Sequence, residues 1–183
     1  MKNLSFEIIG DTLIIRDTAD DETLKNFAEE KMKKHPYLKS AVLQTSKIQG
    51  QKRVRGLDVI VGKQSFETTH KEHGCVYRMN LLHAFFSPRL SFERQRISDL
   101  VKENEIVLNF FSGVGPFSVA IASKQKKSIV HSIEINEIAY RYLCQNILLN
   151  NCQNRVFPYL GDAFAITQKR FINKVTEFCF LYL

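Results

Sequence analysis

Gly113, Gly115, Glu134 and Asp162 are the residues whose types and spacing suit a definite chemistry, the holding of a nucleoside. The two glycines lie in Val107-Leu108-Asn109-Phe110-Phe111-Ser112-Gly113-Val114-Gly115-Pro116-Phe117, where an apolar, β-prone run gives way to a helical pattern. Lacking a Cβ, both can take a positive φ and let a ligand lie against bare backbone, while Pro116 suits a first helical position. A dinucleotide fingerprint requires a third glycine where this chain has Phe117-Ser118, which disfavours NAD and favours a shorter ligand such as S-adenosylmethionine. Glu134 ends the run Ile129-Val130-His131-Ser132-Ile133, about 20 residues beyond the loop, the separation at which a carboxylate meets ribose hydroxyls. Asp162 ends a third run, Val156 to Gly161, so three strand ends point polar groups into one crevice.

Positioning these groups requires an open α/β sheet, and the spacing predicts a helix from Ala139 to Asn150 between the second and third strands. The part before it differs. Phe6-Ile9 and Thr12-Ile15 flank Gly10-Asp11 as a hairpin, Glu22 to Lys34 has helical spacing ending at His35-Pro36, and Ala41-Thr45 resumes strand character. Leu57-Val61 and Phe66-His70 read as an antiparallel pair around Gly62, with Val76-Asn80 as a further strand. Residues 1–80 therefore form a small α+β domain and residues 81–183 a Rossmann-like one, an α/β architecture overall. Between them, Ser91 is placed to cap a helix that runs to Glu103-Asn104, carrying Arg94, with Arg89 just ahead of it.

A formal charge of +7 and a pI near 9.3 favour a polyanionic partner, nucleic acid first. The segment Lys47 to Arg55, with Lys52 and Arg53, carries charge of one sign and reads either as a solvated connection or as a phosphate-contacting loop. Cys75, Cys144, Cys152 and Cys179 include no C-x-x-C pair, so no zinc site or disulfide framework is indicated, and His70 and His73 lack further metal ligands nearby. No signal core and no membrane-length apolar run is present, which predicts a soluble, cytoplasmic protein.

With these residues assembled, the chain resembles the archaeal and eukaryotic tRNA guanosine-37 N1-methyltransferases and their wybutosine-pathway relatives. The resemblance rests on Ser5-Phe6-Glu7-Ile8-Ile9-Gly10-Asp11, His70-Lys71-Glu72-His73-Gly74-Cys75, Phe86-Ser87-Pro88-Arg89-Leu90 followed by Glu93-Arg94, Gly113-Val114-Gly115-Pro116-Phe117, and Gly161-Asp162. It implies a class I methyltransferase domain behind a small α+β domain, with methyl transfer from S-adenosylmethionine to N1 of the guanosine 3′ of the tRNA anticodon. By the same resemblance Arg94, Phe110, Glu134, Ile135, Asp162 and Ala163 hold the cofactor, and Arg89 is the catalytic arginine. Guanine N1 carries a proton at neutral pH, so the reaction needs a base, and Glu137 and Glu93 are the candidates by location. Asn109 stands where relatives place aspartate, removing a charged acceptor near the methionine end of the cofactor. The chain ends at Leu183, before the family's asparagine-proline motif, and starts at its second domain, so it reads as a truncated enzyme with strand order 3-2-1-4. A tRNA-binding fragment without activity and an aminocarboxypropyl transferase are the other readings.

Overall fold

A computed structural model describes residues 4–47, 50, 54–171 and 178–181, the last four as backbone only. Strands β1 (Phe6–Ile9) and β2 (Thr12–Ile15) form the expected antiparallel hairpin, helix α1 (Asp21–Lys34) crosses over, and β3 (Ser40–Gln44) lies parallel to β2. Asp20 starts α1 by accepting from the Thr23 N–H, satisfying one of the donors a helix N-terminus leaves open. Every residue of β2 is buried because both faces are covered. Leu13 and Ile15 pack with Leu24, Phe27 and Ala28 of α1, whereas Ile14 points the opposite way, into the main core.

The expected pairing of the Leu57 and Phe66 segments is not formed. Instead β4 (Leu57–Gly62) runs antiparallel to β3, completing the order β1-β2-β3-β4, and β5 (Glu67–Glu72) pairs with β6 (Cys75–Asn80) as a separate ribbon. The reason lies in the side chains: Ile60 and Val61 of β4 pack with the α1 cluster, while β6 offers Cys75, Tyr77 and Met79 to the main core. Thr68 and His70 of β5 tie the ribbon to the hairpin turn, accepting from the Asp11 and Gly10 N–H groups at 3.1 and 3.2 Å.

After a 3-10 turn (Pro88–Leu90) and helix α2 (Ser91–Leu100), the second sheet is wholly parallel. Its strands β7 (Ile106–Asn109), β8 (Ile129–Glu134), β9 (Val156–Leu160) and β10 (Phe178–Leu181) stand in the order β10-β7-β8-β9, the expected 3-2-1-4. Pro158 lies in β9, which has one neighbour among the described strands, so its missing N–H can face away from the ladder. Helices α3 (Pro116–Lys124), α4 (Glu137–Leu149) and α5 (Ala163–Arg170) follow β7, β8 and β9. Helix α2 is shorter than expected, and Ser91 does not cap it: Leu90 is the cap residue, and the Ser91 hydroxyl bonds the His73 ring instead.

Two asparagines attach the ribbon to the parallel sheet. Asn150 exchanges two hydrogen bonds with the backbone of Val76 (2.8 and 2.7 Å), and Asn146 exchanges two with that of Arg78 (2.8 and 3.0 Å). Four residues of helix rise ~6 Å and two of strand ~6.8 Å, so side-chain amides at i and i+4 on a helix match alternate residues of a strand edge. Asn146 is fully buried and also donates to the Val114 carbonyl in the glycine loop at 2.9 Å. Asn146→Leu should therefore lower the free energy of unfolding by about 3 kcal/mol, with faster hydrogen exchange at the Arg78 amide. A loss below about 1 kcal/mol with unchanged exchange would show that apolar packing alone seats the ribbon.

Candidate functional site

The carboxyl ends of β7, β8 and β9 converge as the spacing predicts. Leaving β7, the chain passes through Phe110 and turns at Gly113 (φ +55°) and Gly115 (φ +88°) into α3, with Pro116 at its first position. At Gly115 a side chain is barred twice over, by the left-handed backbone and because a Cβ would lie 2.5 Å from Leu143 Cδ1. Gly113 is different: a Cβ there would meet nothing nearer than the Phe85 carbonyl oxygen at 3.8 Å. Its surface is open, and it lies beside the segment that leads to Arg89.

Glu134 sits beneath this loop, 8 % exposed, accepting from the Gly113 N–H (2.6 Å) and the Asn136 N–H (2.7 Å). Burial pushes its carboxyl group upward in pKa, and those same backbone donors oppose the shift. The Ile135 N–H is a third backbone donor, and of the roughly four acceptor sites of a carboxylate this leaves capacity for a ligand hydroxyl. From β9, the Gly161 N–H bonds the Glu134 carbonyl (2.9 Å), which brings Asp162 to the same edge. Asp162 is exposed and caps α5 through one carboxylate oxygen, accepting from Ala165 N–H at 2.9 Å.

Apolar groups complete the edge. Phe110 and Ala163 are buried with Leu108 and Ile133, whereas Ile135, Phe111 and Phe164 are exposed. The rings of Phe110 and Phe164 stack at 6.5 Å with a 25° angle. An open glycine, a buried acceptor and an apolar rim together suit a ribose diol and a flat base. Phe164 and Asn136 were not evident as site residues. Asn136 carries a readable signal, an asparagine opening a helical run, and it caps α4 while its amide donates to the His83 carbonyl.

Other anticipated residues lie elsewhere. Asn109 is buried, its amide donating to Ser118 Oγ at 3.0 Å, so it holds the loop from within. Arg89 is exposed in the 3-10 turn and forms no ion pair among the described residues. Glu137 is exposed on α4 and paired with Arg141 at 2.5 Å, and Glu93 pairs with Arg96 at 2.6 Å. Of the basic segment, Lys47 is exposed and Arg55 buried, while Lys52 and Arg53 lie outside the described residues.

Arg94, anticipated as a cofactor ligand, is 1 % exposed and engaged with Glu72 through Nε and, at 2.6 Å, through Nη2. Nη2 also donates to the Ser87 carbonyl at 3.1 Å, and the guanidinium lies over the Phe86 and Phe117 rings. It therefore braces the Ser87–Leu90 turn against the ribbon. Burial would raise the Glu72 carboxyl group, but hydrogen bonding to His70 and Arg94 overcomes this and holds it at about 2.

Residues 68–178 match the family described as the TRM5/TYW2 methyltransferase domain. The chain is 39 % identical over 169 residues to the tRNA (guanine(37)-N(1))-methyltransferase Trm5b of Pyrococcus abyssi, covering 90 % of this chain and 49 % of that protein. It is 31 % identical over 172 residues to the tRNA(Phe) (4-demethylwyosine(37)-C(7)) aminocarboxypropyltransferase of Methanocaldococcus jannaschii, covering 94 % and 66 %. Among solved structures, the complex of aTrm5 and tRNALeu superposes with a TM-score of 0.79 at 33 % identity, over 89 % of this chain and 48 % of that one. M. jannaschii TYW2 in complex with AdoMet gives a TM-score of 0.61 at 28 % identity, over 86 % and 57 %. The chain spans about half to two thirds of the length of these proteins.

Because the Glu72 pKa falls from its usual 4.5 to about 2, the stability it confers is complete above pH 4.5 and is lost as the pH drops toward 2. Urea unfolding across that window should show a steep loss for the parent chain and a shallower one for Glu72→Gln. Identical slopes would show that the Arg94 contact carries no such linkage.

Proposed function

The chain belongs to the TRM5/TYW2 methyltransferase family, and from that premise we propose that it binds S-adenosylmethionine at the ends of β7, β8 and β9 and transfers its methyl group to N1 of guanosine 37 of a tRNA. The observation that carries the reading is Glu134, buried beneath an open glycine with acceptor capacity left over. The names of the relatives support the substrate, and the complexes with AdoMet and tRNALeu support the two ligands. In this reading residues 1–80 are the domain on the tRNA side and residues 81–183 the cofactor domain; no described helix is long and apolar enough to cross a membrane.

In this reading the cofactor, when bound, supplies an electrophilic methyl group on a sulfonium sulfur. Glu134 accepts from the ribose hydroxyls, the backbone at Gly113 gives the ligand a surface free of side chains, Gly115 lets the loop turn against Leu143, and Phe110, Ile135 and Ala163 flank the base. The Asp162 oxygen not used in capping accepts from an N–H of the ligand. As N1 of guanine is alkylated, negative charge leaves O6, and while the proton is being lost that charge is greatest. Arg89, which forms no ion pair among the described residues, stabilises it in this reading. Glu137 is the base that takes the N1 proton, its exposed pair with Arg141 being weak enough to exchange. Arg94 acts through the turn, holding Ser87 so that Arg89 is presented.

The test pairs calorimetry with product analysis. Glu134→Gln should weaken S-adenosylmethionine binding about tenfold, and Arg89→Ala should lower the methyl-transfer rate about 100-fold while leaving cofactor affinity within twofold. No heat of binding at millimolar S-adenosylmethionine would remove the cofactor assignment, and full activity in Arg89→Ala would remove that residue's role. The likeness to the aminocarboxypropyltransferase favours one alternative, transfer of that larger group, and the mass of the modified nucleoside distinguishes the two.

A further inference from the structure

A cavity of about 250 Å3 lies between the first sheet and the segment leading into the 3-10 turn, lined by Glu7, Arg16, Lys47, Arg55, Phe86 and Ser87 among others. Arg55 is 6 % exposed, yet among the described residues only its Nη1 is engaged, with Glu7 Oε1 at 3.2 Å; Nε and Nη2 are buried with no hydrogen-bond partner among the described residues. The same Glu7 also serves Arg16, whose Nη2 lies 2.6 Å from Oε2 as an ion pair without hydrogen-bond alignment. With Lys47 the cavity thus gathers three cations around one carboxylate. Buried donors are nearly always matched by acceptors, and a guanidinium edge with two parallel N–H groups matches the two free oxygens of a phosphate.

We propose that this cavity is a phosphate subsite that takes one phosphodiester of the RNA backbone, with Arg55 Nε and Nη2 donating to its oxygens and Arg16 and Lys47 supplying charge. The proposal rests on the tRNA reading above and extends it to a named contact. Ser87 lines the cavity two residues before Arg89, so a nucleotide whose base reaches Arg89 brings a backbone phosphate to this side of the turn. Arg94 holds the Ser87 carbonyl from the ribbon side. The subsite and the buried ion pair therefore grip the same turn, and the phosphate helps to fix the register in which the target base is presented.

The experiment measures anisotropy of a labelled tRNA anticodon stem-loop with the parent chain, Arg55→Gln and Lys47→Ala, over a range of salt. Lys47 is exposed, so its variant keeps the test open if Arg55→Gln folds poorly, and S-adenosylmethionine binding reports on the rest of the fold. Arg55→Gln should bind the RNA about tenfold more weakly, and both variants should show a salt slope lower by about 0.7–0.9, with cofactor affinity unchanged. A set of stem-loops, each with one neutral methylphosphonate, should contain one that weakens the parent chain but not Arg55→Gln. Equal affinities and slopes in all three proteins would overturn the subsite while leaving the tRNA reading intact. A parent chain that binds cofactor but no stem-loop would overturn both. Stabilisation by inorganic phosphate lost in Arg55→Gln, with no position-specific methylphosphonate effect, would assign the cavity to a free phosphate and overturn the RNA contact.

Discussion

A helix has no backbone hydrogen bonds to spare for a neighbouring strand, and the placement of the β5–β6 ribbon depends on how α4 meets that constraint. Asn146 and Asn150 present amides that act as a strand edge would, giving and taking at Val76 and Arg78. Asn146 reaches the Val114 carbonyl as well, so one buried side chain joins the ribbon, the helix and the glycine loop. What the ribbon carries takes its position from that ladder together with the bonds of Thr68 and His70 to the hairpin turn. Glu72 is at its end, Arg94 is held by Glu72, and the Ser87–Leu90 turn is held by Arg94.

The two buried carboxylates near the site are pushed in opposite directions, and the difference follows from their partners. Glu72 faces a guanidinium and an imidazole, which stabilise its charge beyond the cost of burial. Glu134 faces only backbone N–H groups, which do not fully offset that cost. A carboxylate held by a guanidinium and an imidazole is a structural tie. One held by backbone amides alone at the foot of an open loop still has capacity for a ligand, and that distinguishes a binding residue from a bracing one of the same type.

Much of this arrangement was legible in the sequence because its signals are local. The glycine turn with Pro116, the acidic strand end at Glu134 and the first hairpin follow from short-range patterns, whereas the order of the parallel strands is long-range and comes from the family resemblance. The failures share a different cause. Pairing Leu57–Val61 with the next strand assumes that neighbours in sequence pair, but the deciding contacts come from α1 and from the hairpin turn. Ser91 has the composition of a helix cap, yet the preceding 3-10 turn already enters the helix and His73 takes the hydroxyl. Arg94 looks like a free cation on an amphipathic helix until Glu72, 22 residues away, is seen beside it.

The amide ladder also has a bearing on synthesis. The ribbon leaves the ribosome 68 to 74 residues ahead of the asparagines that pair with it. At about 5–20 residues per second, its outer edge waits roughly 3–15 s for Asn146 and Asn150. Through that interval the nascent ribbon offers unpaired amides and carbonyls to any extended segment nearby, an open edge that closes only when α4 has been made.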